Sequence, residues 1–444
     1  MKKRNPIVVV LGHVDHGKTT LLDAIRKTSV ASREAGGITQ SIGASVVNGI
    51  CFIDTPGHAA FGKMRGRGTR VADIAILVVS ADDGIKPQTK EALEMIKEAK
   101  IPFIVALTKI DIVGVRLEIV RGQLEKEGLL FEGREGEVPL VSLSAKTGEG
   151  LKNLLETITL LSEVNNVSGD LNAPLEAVII ESFKDARGPV TNIIVRNGNI
   201  KVGDQIDIDN LSGKVRGIFN DKGESVREVL PGEPSQVIGL TQKQDVGPRK
   251  VLGDARRLAE DELPIVLKAA NSGILEAIIA SLPPKVIVVD YGIGDVLGND
   301  ILTAKVGNAY VFAFGTKIPN NIAKLAETEG VRVKKFDIIY ELISEIEETL
   351  KGGKVQILGK AQVLASFPFN KKSVAGCRVL TGRFNKGDRL ILTRDEKEIG
   401  KAKALTIKKQ KVDTTSVGAN EEFGVILEPQ LDFQVNDVLL SVTK

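Results

Sequence analysis

Residues 12–19, GHVDHGKT, follow the apolar run 7–11 and precede an amphipathic segment at 20–27. G-x-x-x-x-G-K-[ST] between a strand and a helix constrains the fold more than any other feature of the chain. Such a loop wraps backbone N–H groups around phosphates at a helix N-terminus. It also calls for a sheet whose strand ends line the ligand edge. Gly12, His13, Val14, Asp15, His16, Gly17, Lys18, Thr19 and Thr20 are therefore expected to hold a nucleotide. Lys18 can reach the β- and γ-phosphates, Thr19 can ligate Mg²⁺, and His13 and His16 shape the loop.

Around this loop, residues 7–10, 51–53, 74–79, 103–107 and 138–143 are continuously apolar, with helix-like segments between them. Strands covered by helices on both faces look like this, so a parallel α/β sheet is expected. Residues 173–252 change to short strands with frequent glycine, which predicts a β-barrel. Strand and helix alternate again from 264 to 350: strands at 265–268, 286–289, 311–314 and 331–336, helices at 274–281, 321–329 and 340–350. That order predicts a three-layer α/β/α domain. Short strands and turns return from Val355. The expected class is α/β multidomain, with a phosphate-loop domain at 1–168, a β-barrel at 169–254, an α/β/α domain at 255–351 and a second β-barrel at 352–444.

The two β-rich stretches share a pattern. Val195, Gly198, Ile200, Gly203, Asp204, Ile206 and Ile208 match Val379, Gly382, Phe384, Gly387, Asp388, Leu390 and Leu392 at an offset of 184 residues. Two related barrels are expected, against a chance likeness of two hairpins.

Two later segments select the base. Thr108, Lys109 and Asp111 follow the 103–107 run, and a carboxylate at Asp111 can accept both N–H groups on the Watson–Crick edge of guanine. Ser144, Ala145 and Lys146 end the next strand, where a backbone N–H can meet guanine O6. Asp54, Thr55, Pro56, Gly57 and His58 form a third element. Asp54 is placed to hold Mg²⁺ through water and Gly57 to sense the γ-phosphate. All three histidines of the chain, His13, His16 and His58, lie in these segments. His58 is expected to orient the attacking water. In the glycine-rich stretch 36–40, Thr39 is a candidate Mg²⁺ ligand.

Composition narrows the classes. Two cysteines, Cys51 and Cys377, exclude a disulfide framework or a zinc ribbon and fit a reducing cytoplasm. No apolar run approaches the ~20 residues of a membrane span. The net charge of +3 does not by itself indicate a nucleic-acid partner. Lys401, Lys403, Lys408, Lys409 and Lys411 form either a solvated strand face or an RNA-backbone contact. Residues 292–298, with spacing G-x-G-x-x-x-G, read as a tight turn rather than a dinucleotide site. Glu341, Glu345, Glu347 and Glu348 read as the wet face of a helix.

The segments GHVDHGKTTLLDAIR, GGITQSIGA, DTPGHAAF and ADIAILVVSADDGIKPQT closely resemble translational GTPases. Among these the chain is most similar to bacterial-type translation initiation factor two, over nearly its whole length. The resemblance implies GTP and GDP as ligands, Mg²⁺ at Thr19, Thr39 and Asp54, and hydrolysis of GTP with the ribosome as activator. It implies GTP-dependent placement of formylmethionyl initiator tRNA on the small ribosomal subunit, then subunit joining. Partners would be both ribosomal subunits and that tRNA, for a cytoplasmic monomer with no membrane. Gly376, Cys377, Lys409, Glu422 and Gly424 carry over to the site for the acylated tRNA end.

Departures from that family are Thr108 in place of asparagine, Phe423 in place of a cysteine, and Lys409 in place of arginine. Short connectors and no N-terminal extension suggest a reduced form. An elongator-type aminoacyl-tRNA carrier is disfavoured, because such carriers place two barrels in succession. A nucleotide-gated RNA scaffold without hydrolysis is disfavoured by Lys18, Thr19, Asp54 and His58.

Overall fold

The computed structural model describes residues 2–29, 39–134, 136–209, 211–242, 262–350, 357–369, 372–394, 397–409 and 412–442. The glycines at 36 and 37, the expected domain limits at 254 and 351, and Lys411 lie outside them. The chain forms two compact units, Met1–Ile346 and Glu347–Lys444. Among the described residues no helix is long and apolar enough to cross a membrane.

The first unit begins with a six-stranded sheet in the order Gly43–Val47, Ile50–Asp54, Ile7–Gly12, Ile74–Ser80, Phe103–Thr108 and Leu140–Ser142. Ile7–Gly12 and Ile74–Ser80 are buried at every position, as their unbroken apolar runs require. The five expected strands are parallel, and a sixth, Gly43–Val47, adds to the edge by pairing antiparallel with Ile50–Asp54. That edge strand is only half-covered and its sequence, GASVV, has no apolar run to reveal it. Parallel pairing brings the carboxyl ends of the other strands to one edge, and with them Gly12, Asp54 and Thr108.

Glu176–Asp185 and Gly188–Asn197 then open a β-domain whose short strands surround one core, including Ile193, Val195, Ile206, Ile218 and Val237. Next comes a parallel four-stranded sheet in the order Val286–Ile293, Leu263–Ala269, Tyr310–Phe314 and Val333–Phe336. Helix Ser272–Ser281 connects the first two of these strands in chain order, and Gly298–Val306 packs with Asn320–Glu329 on the core that holds Val266, Ala304 and Val311. Helix Gly298–Val306 was not anticipated. The 292–298 segment is a turn, as expected, with Gly294 at φ 101° and Asp300 accepting from the Leu297 N–H at 2.7 Å. Helix Ile339–Leu350 buries Ile339, Leu342 and Ile346 and turns Glu341, Glu347 and Glu348 outward.

The second unit is a closed six-stranded barrel. Ile357–Phe369, Val438–Val442, Arg389–Arg394, Lys397–Lys409, Glu422–Glu428 and Lys372–Asn385 pair in turn, and the last pairs back with the first. Closure leaves these six strands no open edge. Ala402, Ala404 and Ile407 point inward from Lys397–Lys409, while Lys401 and Lys403 point out.

The repeat seen in sequence is a repeat in geometry. Gly198 and Gly382 have φ of 71° and 72°, and Gly203 and Gly387 have 102° and 92°. Asp204 accepts from the Lys201 N–H at 2.8 Å, and Asp388 from the Asn385 N–H at 2.7 Å, the same turn at the same offset.

Candidate functional site

The phosphate loop leaves its strand through Gly12, at φ 148°, where a β-carbon would lie 2.4 Å from the Val78 carbonyl oxygen. Only glycine fits that approach. The loop enters helix Lys18–Arg26 through Gly17, at φ 87°, with no side chain capping the helix. The first-turn N–H groups there are those a phosphate would meet. The Val14 N–H, however, is engaged by the Gln88 side chain at 3.2 Å, a partner 74 residues away with no local signature.

Lys18 lies inside the loop, and its Nζ donates to the His13 carbonyl at 2.5 Å. Burial pulls its pKa down to about 8, against the support of the Asp54 and Asp15 carboxylates. A buried ammonium with one close carbonyl is a strong attractor for an anion. Gly57 packs directly above it, since a β-carbon at Gly57 would sit 2.4 Å from Lys18 Nζ. The structure therefore brings Gly57 to the phosphate end of the site.

Thr19 and Thr39 meet through their hydroxyls at 2.6 Å, and Asp54 is buried at the end of Ile50–Asp54, where its carboxylate acts on the Lys18 ammonium next to Thr19 in the chain. This is an all-oxygen donor set with one carboxylate, the chemistry that suits Mg²⁺ and not a thiophilic metal. The residues present fit that ion.

On the base side, the Thr108 hydroxyl is buried and donates to the His16 carbonyl at 2.7 Å. Asp111 is exposed, and its Oδ1 accepts from Ser144 Oγ at 2.7 Å, which holds the carboxyl below its ordinary pKa. Ser144 Oγ also receives the Thr147 N–H at 3.2 Å, so the Ser144, Ala145 and Lys146 turn and Asp111 are fixed to one another. Lys109, at φ 59°, reaches Asp82 at 3.6 Å.

His58 caps a short turn, with Nδ1 accepting the Ala60 N–H at 3.0 Å, so its proton sits on Nε2. Burial, then the Arg65 charge, keeps its pKa below the usual imidazole range. Arg65 is almost fully buried and ties the segment down, donating to the carbonyls of His58 at 2.5 Å and Pro56 at 3.2 Å and to Glu91 at 2.5 Å. Sequence reading missed Arg65, because nothing in its spacing separates it from the neighbouring arginines at 67 and 70. His13 and His16 stack edge to face at 5.0 Å, and His16 is buried 3.3 Å from Asp83. Burial pulls His16 down to about 4, so it is a neutral wedge under the loop.

The residues expected at the tRNA end are brought together on the barrel but do not share a face. Gly376 pairs with Gly424, and Cys377 with Phe423, on adjacent strands. Cys377 and Phe423 point into the barrel core, where Phe423 packs on Phe384 at 5.3 Å. Strand alternation thus turns Phe423, the residue that departs from the family's cysteine, into the barrel core. Gly376, Glu422 and Gly424 face outward, and Glu422 is paired with Arg378 at 2.5 Å. Lys409 is paired with Glu421 at 2.6 Å and Lys408 with Asp413 at 3.5 Å, as a solvated strand face would have it.

Comparison with known proteins agrees with this geometry. Residues 3–163 match the model of the elongation factor Tu GTP binding domain, 174–249 that of elongation factor G domain 2, and 241–347 that of translation-initiation factor 2. The chain is 37% identical to translation initiation factor IF-2 of Clostridium novyi, covering 100% of this chain and 72% of that protein. It is 39% identical to the factor of Aquifex aeolicus, covering 98% of this chain and 61% of that one. Against the Carboxydothermus hydrogenoformans factor the figures are 38%, 100% and 60%. Among solved structures, GDP-bound aIF5B from Aeropyrum pernix is 28% identical with a TM-score of 0.46, covering 100% of this chain and 92% of that one. A phosphate loop, a guanine-side carboxylate and 37% identity along the whole of this chain to a factor of which it covers 72% lead to one conclusion: the chain belongs to the translation initiation factor IF-2 family of translational GTPases.

Proposed function

We propose that this protein is a GTP-switched initiation factor that places formylmethionyl initiator tRNA on the small ribosomal subunit and promotes subunit joining. The carrying observation is the joining of a phosphate loop and a guanine-side carboxylate in a chain that matches IF-2 proteins along its whole length. The protein works as a monomer in the cytoplasm, with both ribosomal subunits as partners. The four domains are assigned to 1–168, 169–254, 255–351 and 352–444.

Hydrolysis is attack of water on the γ-phosphate, with GDP leaving. Lys18 and the N–H groups of Gly12 to Thr20 hold the phosphates, while Asp111, the Ser144 turn and Thr108 hold and frame the guanine. Thr19, Thr39 and Asp54 would hold Mg²⁺, which when bound neutralises charge developing on the phosphate oxygens. Gly57 senses the γ-phosphate. His58, neutral with its proton on Nε2, orients the water. Catalysis of this kind is positioning and charge stabilisation, so the ribosome acts by completing the arrangement.

The outward face around Gly376, Glu422 and Gly424, flanked by Lys409, takes the acylated tRNA end, with Cys377 beneath it in the barrel core. The decisive experiment measures GTP-dependent binding of formylated, unformylated and deacylated initiator tRNA, together with ribosome-stimulated phosphate release. Phosphate release without tRNA discrimination would reduce the protein to a ribosome-dependent GTPase of another kind.

A further inference from the structure

Tyr340 opens helix Ile339–Leu350 in the α/β region, far in sequence from the nucleotide segments. Its ring nonetheless meets His58 edge to face, with centroids 4.4 Å apart and planes at 89°. That is closer than the contact between His58 and its own neighbour Phe61, at 6.0 Å. The Tyr340 hydroxyl titrates above its ordinary range, first through burial and then through the Asp15 carboxylate of the phosphate loop. The phenol thus lies near both the segment carrying His58 and the loop that holds phosphate.

The same region grips the nucleotide segments at other points. The Gln40 side chain, one residue after Thr39, donates to the Asp337 carbonyl at 2.8 Å. Arg67 meets both carboxylate oxygens of Glu276 at 2.6 Å. Met64 lies so close over Gly273 that a β-carbon there would fall 2.1 Å from its methyl carbon. These contacts set the docking of the region, while Tyr340 touches the imidazole itself.

We propose that Tyr340 is a positioning residue that latches His58 in a resting rotamer, restraining GTP hydrolysis until the α/β region shifts. With Nδ1 committed to the Ala60 N–H and one side of the ring against Tyr340, His58 has to give up both contacts to swing to a new position. Release of the latch is therefore part of the activation barrier, and any partner that moves helix Ile339–Leu350 lowers it. The inference rests on the reading of His58 as the water-positioning residue.

The test is single-turnover GTP hydrolysis by the full chain without ribosomes. Tyr340→Ala is expected to hydrolyse roughly 2- to 12-fold faster than the parent, the span corresponding to loss of one aromatic pair. GTP affinity should not change. Tyr340→Phe keeps the ring contact and should stay at the parental rate. Adding His58→Ala to Tyr340→Ala should abolish the gain. Tyr340 is half exposed, so both variants should melt like the parent. A second readout is NMR titration of the imidazole protons, which three histidines make assignable. The His58 pKa should rise toward 6.5 in Tyr340→Ala and stay low in Tyr340→Phe. An unchanged rate or an unchanged His58 titration in Tyr340→Ala overturns the latch, as does a gain that survives in the double variant. Full ribosome-stimulated turnover in His58→Ala alone would instead overturn the reading of His58.

Discussion

Thr108 donates its buried hydroxyl to the main-chain carbonyl of His16 at 2.7 Å, joining the guanine-side strand to the phosphate loop. The residue that departs from the usual asparagine of this family therefore keeps a link between the two halves of the nucleotide site. Thr108→Val preserves shape but leaves the His16 carbonyl without this donor, at a cost of about 1–3 kcal/mol for a buried acceptor. The expected result is a lower melting temperature and weaker GDP binding by fluorescence titration, with ribosome-stimulated turnover at saturating GTP nearly intact.

Base choice should follow Asp111. Its carboxylate is oriented by Ser144 at 2.7 Å and exposed on its other side. Asp111→Asn replaces one acceptor with a donor, which clashes with a guanine N–H and suits the xanthine carbonyl. GTP affinity should fall about 10- to 100-fold, the equivalent of 1.4–2.8 kcal/mol, and xanthosine triphosphate should become the better ligand. Competition binding with both nucleotides decides it, and a variant that still prefers GTP would show that the base lies elsewhere.

Holding and cutting should separate at Lys18 and His58. Lys18→Ala should lose nucleotide binding, whereas His58→Ala should bind GTP normally and lose roughly 10²-fold of stimulated turnover. The Lys18 pKa of about 8 adds a pH signature. Phosphate binding raises that pKa again, so the free protein takes up a proton on binding GTP above pH 8. Affinity should be greatest below pH 8 and fall as pH rises through the gap between the free and bound values. Calorimetry in buffers of different ionisation enthalpy measures the proton directly.

Much of this site was legible because phosphate and guanine chemistry fix local spacing. Gly12, Lys18, Asp54 and Asp111 belong to short segments that each end a buried strand, and apolar runs mark those strands. Arg65, Gln88 and Tyr340 were not legible. They act through tertiary contacts that span from 7 residues, for Arg65 and His58, to 282, for Tyr340 and His58, and leave no local signature. The edge strand Gly43–Val47 escaped for a related reason, because a half-covered strand needs no continuous apolar sequence. At the barrel, the pairing of Gly376 with Gly424 could be anticipated, but the inward turn of Phe423 depended on register, which one residue of slip reverses.

Glu181 offers a test of the packing beside the nucleotide segments. It lies on Glu176–Asp185, is buried, and accepts a backbone hydrogen bond from Ile42, just before the edge strand. Burial raises its pKa to about 8, against an ordinary value of 4.5. The folded state therefore holds a proton that the unfolded state has released between those two values. Stability contributed by this group is complete below pH 4.5 and is lost progressively as pH rises toward 8. Glu181→Gln keeps the acceptor and removes the titration, so its melting temperature should exceed the parent's at pH 8 and equal it near pH 4.5. Melting curves at the two pH values check the sign.

The most exposed prediction concerns the acylated tRNA end. Gly376 and Gly424 lie opposite each other on adjacent strands of the closed barrel and face outward, with the exposed Phe367 ring lying over Gly376, so a ligand can approach the Gly424 backbone more closely than that of Gly376. A free α-amino group has a pKa of about 7.7–8.0 and is largely charged near neutrality. Seating it against the barrel without a partner costs several kcal/mol. Glu422 could have supplied that partner, but its carboxylate is already held by Arg378 at 2.5 Å. Formylation removes the charge, so the formylated form should bind roughly 10-fold more tightly or better, about 1.4 kcal/mol. Cys377→Phe would be a poor probe, since Cys377 faces the core and a larger ring would overpack it. Gly424→Val is the better one: its β-carbon would meet only Val374, at 3.2 Å, and its bulk would stand on the outer face. That variant should lose most of the preference for formylated tRNA while ribosome-free GTP hydrolysis stays at the parental rate. Filter binding of the full chain to formylated, unformylated and deacylated tRNA measures this, and equal affinity for all three would remove the barrel from initiator recognition.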